Sequence, residues 1–235
     1  MTAQPETEQH ASLPSGMLSS GVAAIALTWM TALVMGHQPP YLAPALFLPA
    51  LLVVMRLTQR HYPHGRFGAA NTITLLRMSL ATALLVSVAV GPVTGWMVAG
   101  VAAVSLALDG LDGWLARRQG LTSGFGARFD MEVNAALALI LALHALRGDP
   151  VGPEIMVLGV MRYLFIGAAH LLPWLAAPLY PSWRRKAICV LQIATLIALQ
   201  LPVMPDGVGI ILARIAAAAL IWSFLRDILW LRAQR

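Results

Sequence analysis

Charge is scarce in this sequence. Only 11% of its 235 residues are Asp, Glu, Lys or Arg, whereas a soluble domain carries about a quarter, so there is too little polar surface to cover a water-exposed globule. Cysteine is nearly missing. The single one, Cys189, lies in an apolar run, which excludes a disulfide or a cysteine-rich metal site and leaves the role of a buried thiol. There is no phosphate-loop lysine motif, and Gly124-Phe-Gly126 is too short for a dinucleotide loop, so neither soluble nucleotide fold fits. No internal repeat supports an inverted-repeat transporter, and no nucleophile–base pairing stands out. Before the first apolar run come Pro5, Glu6 and Glu8 without Lys or Arg, and no small-residue cleavage pattern follows. That run is therefore read as an anchor rather than a cleaved signal.

What is present is hydrophobic: 59% of the residues. Apolar runs of about twenty residues, the length that crosses a hydrocarbon core of about 30 Å, recur from Met17 onward. They predict an all-α polytopic membrane protein with spans at 17–36, 41–56, 72–91, 94–117, 127–147, 151–176, 186–202 and 207–231. The expected organisation is a disordered tail over 1–16, two transmembrane helices over 17–56, an interfacial linker at 57–71 and a six-helix membrane domain over 72–235.

The net charge is +6, but the bases are spread over short loops rather than forming a stripe with interleaved aromatics, so nucleic acid is not an expected partner. Orientation explains them better. With a cytoplasmic N-terminus, the inner side receives Arg56, Arg60, Arg66, Arg77, Arg117, Arg118, Arg128, Arg184, Arg185, Lys186, Arg226, Arg232 and Arg235, the outer side Arg147 alone, and Arg162 and Arg214 stay within spans. Both termini are thus expected in the cytoplasm. Trp96, Trp174, Tyr180, Trp183 and Trp230 sit near span ends, as an aromatic belt requires. His144 and His170 have no partner at metal spacing and read as packing or interfacial residues.

Of ten acidic residues, four fall between 109 and 132: Asp109, Asp112, Asp130 and Glu132. Asp109 and Asp112 are i and i+3 on the fourth span; Asp130 and Asn134 are i and i+4 on the fifth. Two adjacent antiparallel helices can aim these four side chains at one point. Glu132 lies roughly 200° around the axis from Asp130, off that face. Carboxylates in a bilayer cost several kcal/mol each and need a cation. Arg117 and Arg118 are one candidate; a hard divalent ion on oxygen ligands is the other and the better fit. Gly110, Gly113, Gly124 and Gly126 either let a bulky ligand approach the backbone or serve helix packing.

Asp109-x2-Asp112-Gly113-x2-Ala116-Arg117-x8-Gly126-x3-Asp130-x3-Asn134 resembles the signature of the CDP-alcohol phosphatidyltransferase (CDP-alcohol phosphotransferase) family, D-x2-D-G-x2-A-R-x8-G-x3-D-x3-D, at every fixed position but the last. The resemblance covers the six spans from about Asn71 onward and leaves the first two as an addition to that core. It implies transfer of a phosphoalcohol group, a phosphatidyl group in phospholipid biosynthesis, from a CDP-linked donor such as CDP-diacylglycerol to an acceptor hydroxyl, with release of CMP. It further implies Mg2+ or Mn2+ on Asp109, Asp112 and Asp130, and a CDP pocket shaped by Gly113, Ala116, Arg117 and Gly126. Asn71-x2-Thr74-x2-Arg77 is similar to the family element bordering the nucleotide. Arg162, Arg184, Arg185 and Lys186 are the candidates for an anionic acceptor or lipid phosphate.

The expected setting is a bacterial inner membrane with the active face cytoplasmic, and related enzymes are commonly dimers. Glycerol phosphate, inositol phosphate, serine, choline and a second lipid all stay open as acceptors. The departure from the signature falls on its proposed base: Asn134 stands there, and an amide accepts no proton at useful pH. A nucleotide- or lipid-binding relative without turnover is therefore a second reading, and an ion-coupled transporter a third.

Overall fold

The apolar runs do become helices. The computed structural model describes residues 12–91, 93–148, 152–180 and 182–234; the expectations for 1–11 of the tail and for Arg235 fall outside them. The α-helices are α1 Met17–Val34, α2 Leu42–His61, α3 Gly68–Val90, α4 Gly95–Gln119, α5 Gly124–Arg147, α6 Met156–Leu171, α7 Trp183–Ala198 and α8 Asp206–Ala233, with short 3-10 turns at Pro153–Ile155 and Pro173–Ala176. Among the described residues there is no strand, and the protein is an all-α polytopic membrane protein.

Among the described residues, seven stretches are long and apolar enough to cross a membrane, the sixth being the first 3-10 turn together with α6. α7 is the exception. Its 16 residues span about 24 Å at 1.5 Å per residue. The run expected at 151–176 is also not one helix: α6 stops at Leu171 and a turn opens at Pro173, because proline disfavours helical backbone in the residue before it. Of the segment read as a linker, residues 57–61 continue α2 and 68–71 open α3, leaving Tyr62–Phe67 between them.

α3 is the centre of the bundle and packs against α1, α2, α4 and α5. Leu84 of α3, Ala102 of α4, Leu137 and Leu141 of α5, Leu158 of α6 and Leu196 of α7 meet in the main core. A second cluster, with Met17, Phe47, Phe67, Leu75 and Phe129, fastens α1 and α2 onto α3 and α5. Two polar ties reinforce it: Ser20 Oγ lies 2.8 Å from Thr72 Oγ1, and the Ser15 N–H donates to the Gly65 carbonyl at 2.9 Å. Val22, Leu52, Val104, Ile211, Leu225 and Leu229 stay exposed, the arrangement expected where lipid is the solvent.

The α4–α5 corner sets up the site. Gly120 takes the left-handed conformation at φ 64° and closes α4 by donating to the carbonyls of Ala116 and Arg117. The Ser123 hydroxyl then caps α5, accepting from the Gly126 N–H at 3.0 Å. This tight corner sets the C-terminal turns of α4 against the N-terminal turns of α5.

Candidate active site

Asp109 and Asp112 on α4 and Asp130 and Asn134 on α5 converge, and the group at their centre comes from α3. The fully buried Arg77 guanidinium engages every one of its nitrogens. Nη1 donates to Asp112 Oδ2 at 2.8 Å and to Asp130 Oδ1 at 2.6 Å; Nη2 lies 2.7 Å from Asp109 Oδ1 and donates to Asn134 Oδ1; Nε donates to the Ser105 carbonyl at 3.1 Å. Thr74 Oγ1, one turn before Arg77, donates to the same Asp112 oxygen at 3.1 Å. Of the two counter-ions weighed, the lesser one, Arg117 or Arg118, is not what pairs with the acids: Arg77 does, while Arg118 stacks over the Trp114 ring at 5.0 Å. Arg77 had been read as bordering the nucleotide. The three-residue spacing of Asn71, Thr74 and Arg77 puts all three on the α3 face turned to α4 and α5, and packing carries the longest of them into the carboxylates.

Asn71 does sit at the edge of this cluster. Its Nδ2 donates to the Phe67 carbonyl at 2.7 Å, and its Oδ1 faces Gly126, where an added methyl group would lie 3.0 Å away. A methyl at Gly113 would approach only the end of the Arg117 side chain, at 3.5 Å, and at Gly110 or Gly124 it would meet nothing within 4 Å. Of these four, only Gly126 has a close neighbour. Ser105 was not singled out from the sequence, yet its fully buried Oγ has no hydrogen-bond partner one turn before Asp109; a hydroxyl inside a span is the signal that pointed to it.

Glu132 leaves the cluster, as its angular position on the helix predicted, and pairs with Arg162 of α6, whose Nη1 also reaches Met131 Sδ at 2.8 Å. The basic residues before α8 are likewise engaged. Arg184 Nη1 donates to the Ser223 hydroxyl at 2.6 Å and its carbonyl at 2.9 Å, and Nη2 to Asp227 Oδ1 at 2.5 Å. Arg185 lies 3.3 Å from the same Asp227 oxygen and donates to the Tyr180 carbonyl. Lys186 Nζ sits 5.5 Å over the Trp183 ring. Asp227 is buried on α8 and was overlooked; a lone acid in a long apolar helix was its signal. His144 accepts a packing role, with Nε2 3.0 Å from the Leu84 carbonyl and 3.1 Å from Ser87 Oγ.

Residues 67–225 match the family model described as CDP-alcohol phosphatidyltransferase. The chain belongs to that family. The CDP-alcohol phosphatidyltransferase match runs from the start of α3 into α8, so it contains the whole carboxylate cluster and excludes α1 and α2. The chain is also similar to CDP-diacylglycerol–glycerol-3-phosphate 3-phosphatidyltransferase 1, chloroplastic, of Oryza sativa subsp. japonica: 37% identical over 88 residues, 34% of this chain and 27% of the rice protein. The aligned part thus spans about a quarter of that relative. No solved structure matches. Family membership favours the transferase over the transporter and non-catalytic readings.

CDP-alcohol phosphatidyltransferases use divalent metal, and the residues here fit one. Asp109, Asp112 and Asp130 each offer an oxygen within 4.8 Å of the others. Among the described residues, Arg77, Thr74 and Asn134 address one oxygen of each acid: Oδ1 of Asp109, Oδ2 of Asp112 and Oδ1 of Asp130. Among the described residues, no hydrogen bond reaches the second oxygen of any of the three. Hard oxygen donors of this kind suit magnesium or manganese.

Proposed function

We propose that this protein transfers a phosphatidyl group from CDP-diacylglycerol to an acceptor hydroxyl, releasing CMP, at the cytoplasmic face of a bacterial inner membrane. The observation that carries the reading is the meeting of Asp109, Asp112 and Asp130 around Arg77, inside the matched residues. These acids would hold Mg2+ or Mn2+, which would neutralise the donor diphosphate and the charge developing on CMP. Arg77 holds one oxygen of each acid. Asn71, Thr74, Gly113, Ala116, Arg117 and Gly126 line the nucleotide, with Gly126 leaving the backbone open beside Asn71.

The acceptor oxygen forms a bond to the phosphatidyl phosphorus as the bond to CMP breaks, and the hydroxyl proton is released to water, since the Asn134 amide cannot take it. That amide donates to Asp109 and Asp130 and orients them. The acceptor we favour is anionic, with glycerol 3-phosphate first because the rice relative is named for it. Arg184 and Arg185, with Arg162 and Lys186, supply the positive charge.

The test offers purified protein CDP-diacylglycerol, Mg2+ or Mn2+ and a pool of alcohols including glycerol 3-phosphate, and reads CMP and the lipid product by mass spectrometry. Product with glycerol 3-phosphate is expected. If the protein neither binds CDP nor releases CMP with any of the alcohols, the proposal is overturned.

A further inference from the structure

We infer that the carboxylate cluster of this chain takes one divalent cation, not two, because Asn134 and Arg77 already fill the place of a second. The inference rests on the metal-site reading above. Asn134 meets an arginine on one side and two carboxylates on the other. A guanidinium only donates and a carboxylate only accepts, so the amide has one orientation. Its oxygen faces Arg77, and its nitrogen faces Asp109 Oδ1 at 2.7 Å and Asp130 Oδ1 at 3.3 Å. The amide oxygen is therefore committed and is no metal ligand. Its N–H groups already bridge Asp109 and Asp130.

Charge leads to the same number. Three aspartates and Arg77 sum to a surplus of two negative charges. One divalent ion cancels it; a second would leave two uncompensated positive charges beside a fully buried arginine, which is unfavourable within a membrane. Arg77 is held from a third side as well, with Nε donating to the Ser105 carbonyl at 3.1 Å. An aspartate at position 134 would reverse both conditions, removing the donors and adding a fourth negative charge.

The experiment counts Mn2+ bound to nucleotide-free full-length protein in detergent, by equilibrium dialysis with electron paramagnetic resonance of the free ion. The unaltered chain is expected to bind one ion, Asn134→Asp two, and Asn134→Ala, which removes the amide without adding charge, one. Two ions on the unaltered chain overturn this inference and leave the metal site standing; no ion at all sinks the metal site and the inference with it. Should Asn134→Asp fail to fold, the counts on the unaltered chain and Asn134→Ala still decide. A folded Asn134→Asp that binds only one ion also overturns the inference.

Discussion

In the cluster shared by α3, α4 and α5, three aspartates surround one fully buried arginine; at the α7–α8 contact, two arginines share one buried aspartate. Both are built from Arg–Asp pairs, and in both the buried partner is paired with opposite charge, so neither leaves an isolated charge in an apolar setting. They differ in which sign is left over. The first holds surplus negative charge, the second surplus positive charge. In a region of low dielectric such a surplus is poorly screened, so each cluster would favour a ligand of the opposite sign. A reading based on counting ion pairs would call both structural.

The comparison can be broken at either end. Losing a ligand oxygen from the acidic cluster has the largest effect: Asp130→Ala lowers metal-dependent CMP release by about 10³-fold, the scale of removing one group that stabilises charge in the transition state, as a radiolabelled CDP-diacylglycerol assay would read. Unchanged turnover would remove Asp130 from the site. Next comes its counter-ion. Arg77→Met leaves three acids facing one another and costs about 3–5 kcal/mol of stability, seen as a lowered unfolding temperature in detergent; adding Asp112→Asn should recover part of the loss.

At the basic cluster the effect is smaller and of another kind. Arg184→Gln raises the KM for an anionic acceptor about tenfold, equivalent to roughly 1.4 kcal/mol, with kcat little changed; an equal fall in kcat would place Arg184 nearer the reacting atoms. The smallest change sharpens the boundary of the nucleotide pocket. Gly126→Ala puts a methyl 3.0 Å from Asn71 Oδ1 and weakens CDP binding about fivefold, for an overpacking cost of about 1 kcal/mol, measurable by calorimetry.

Much of the acidic cluster was legible beforehand. The i, i+3 and i, i+4 spacings placed Asp109, Asp112, Asp130 and Asn134 on facing surfaces, and the same helical arithmetic sent Glu132 elsewhere, toward Arg162. Arg77 was harder. It is 32 positions before Asp109 in the chain, nearer bases were available in Arg117 and Arg118, and no periodicity says which helix crosses the α4–α5 corner. Asp227 was hidden for the same reason: its partners, Arg184 and Arg185, lie 43 and 42 positions away. The helix ends were legible only in part, since α2 and α3 run into the segment read as a linker.

By itself the amino-acid order determined the helices, the membrane as their solvent and the ligand types of the site, because hydropathy and helical spacing act over a few turns of one chain. Only the tertiary structure decided that an arginine from α3 sits among the acids, that Asn134 has its oxygen committed, and that α7 and α8 share a buried acid. Those outcomes depend on which helices touch and at what height. Interhelical contact is a property of packing across tens of residues, and local sequence carries no record of it.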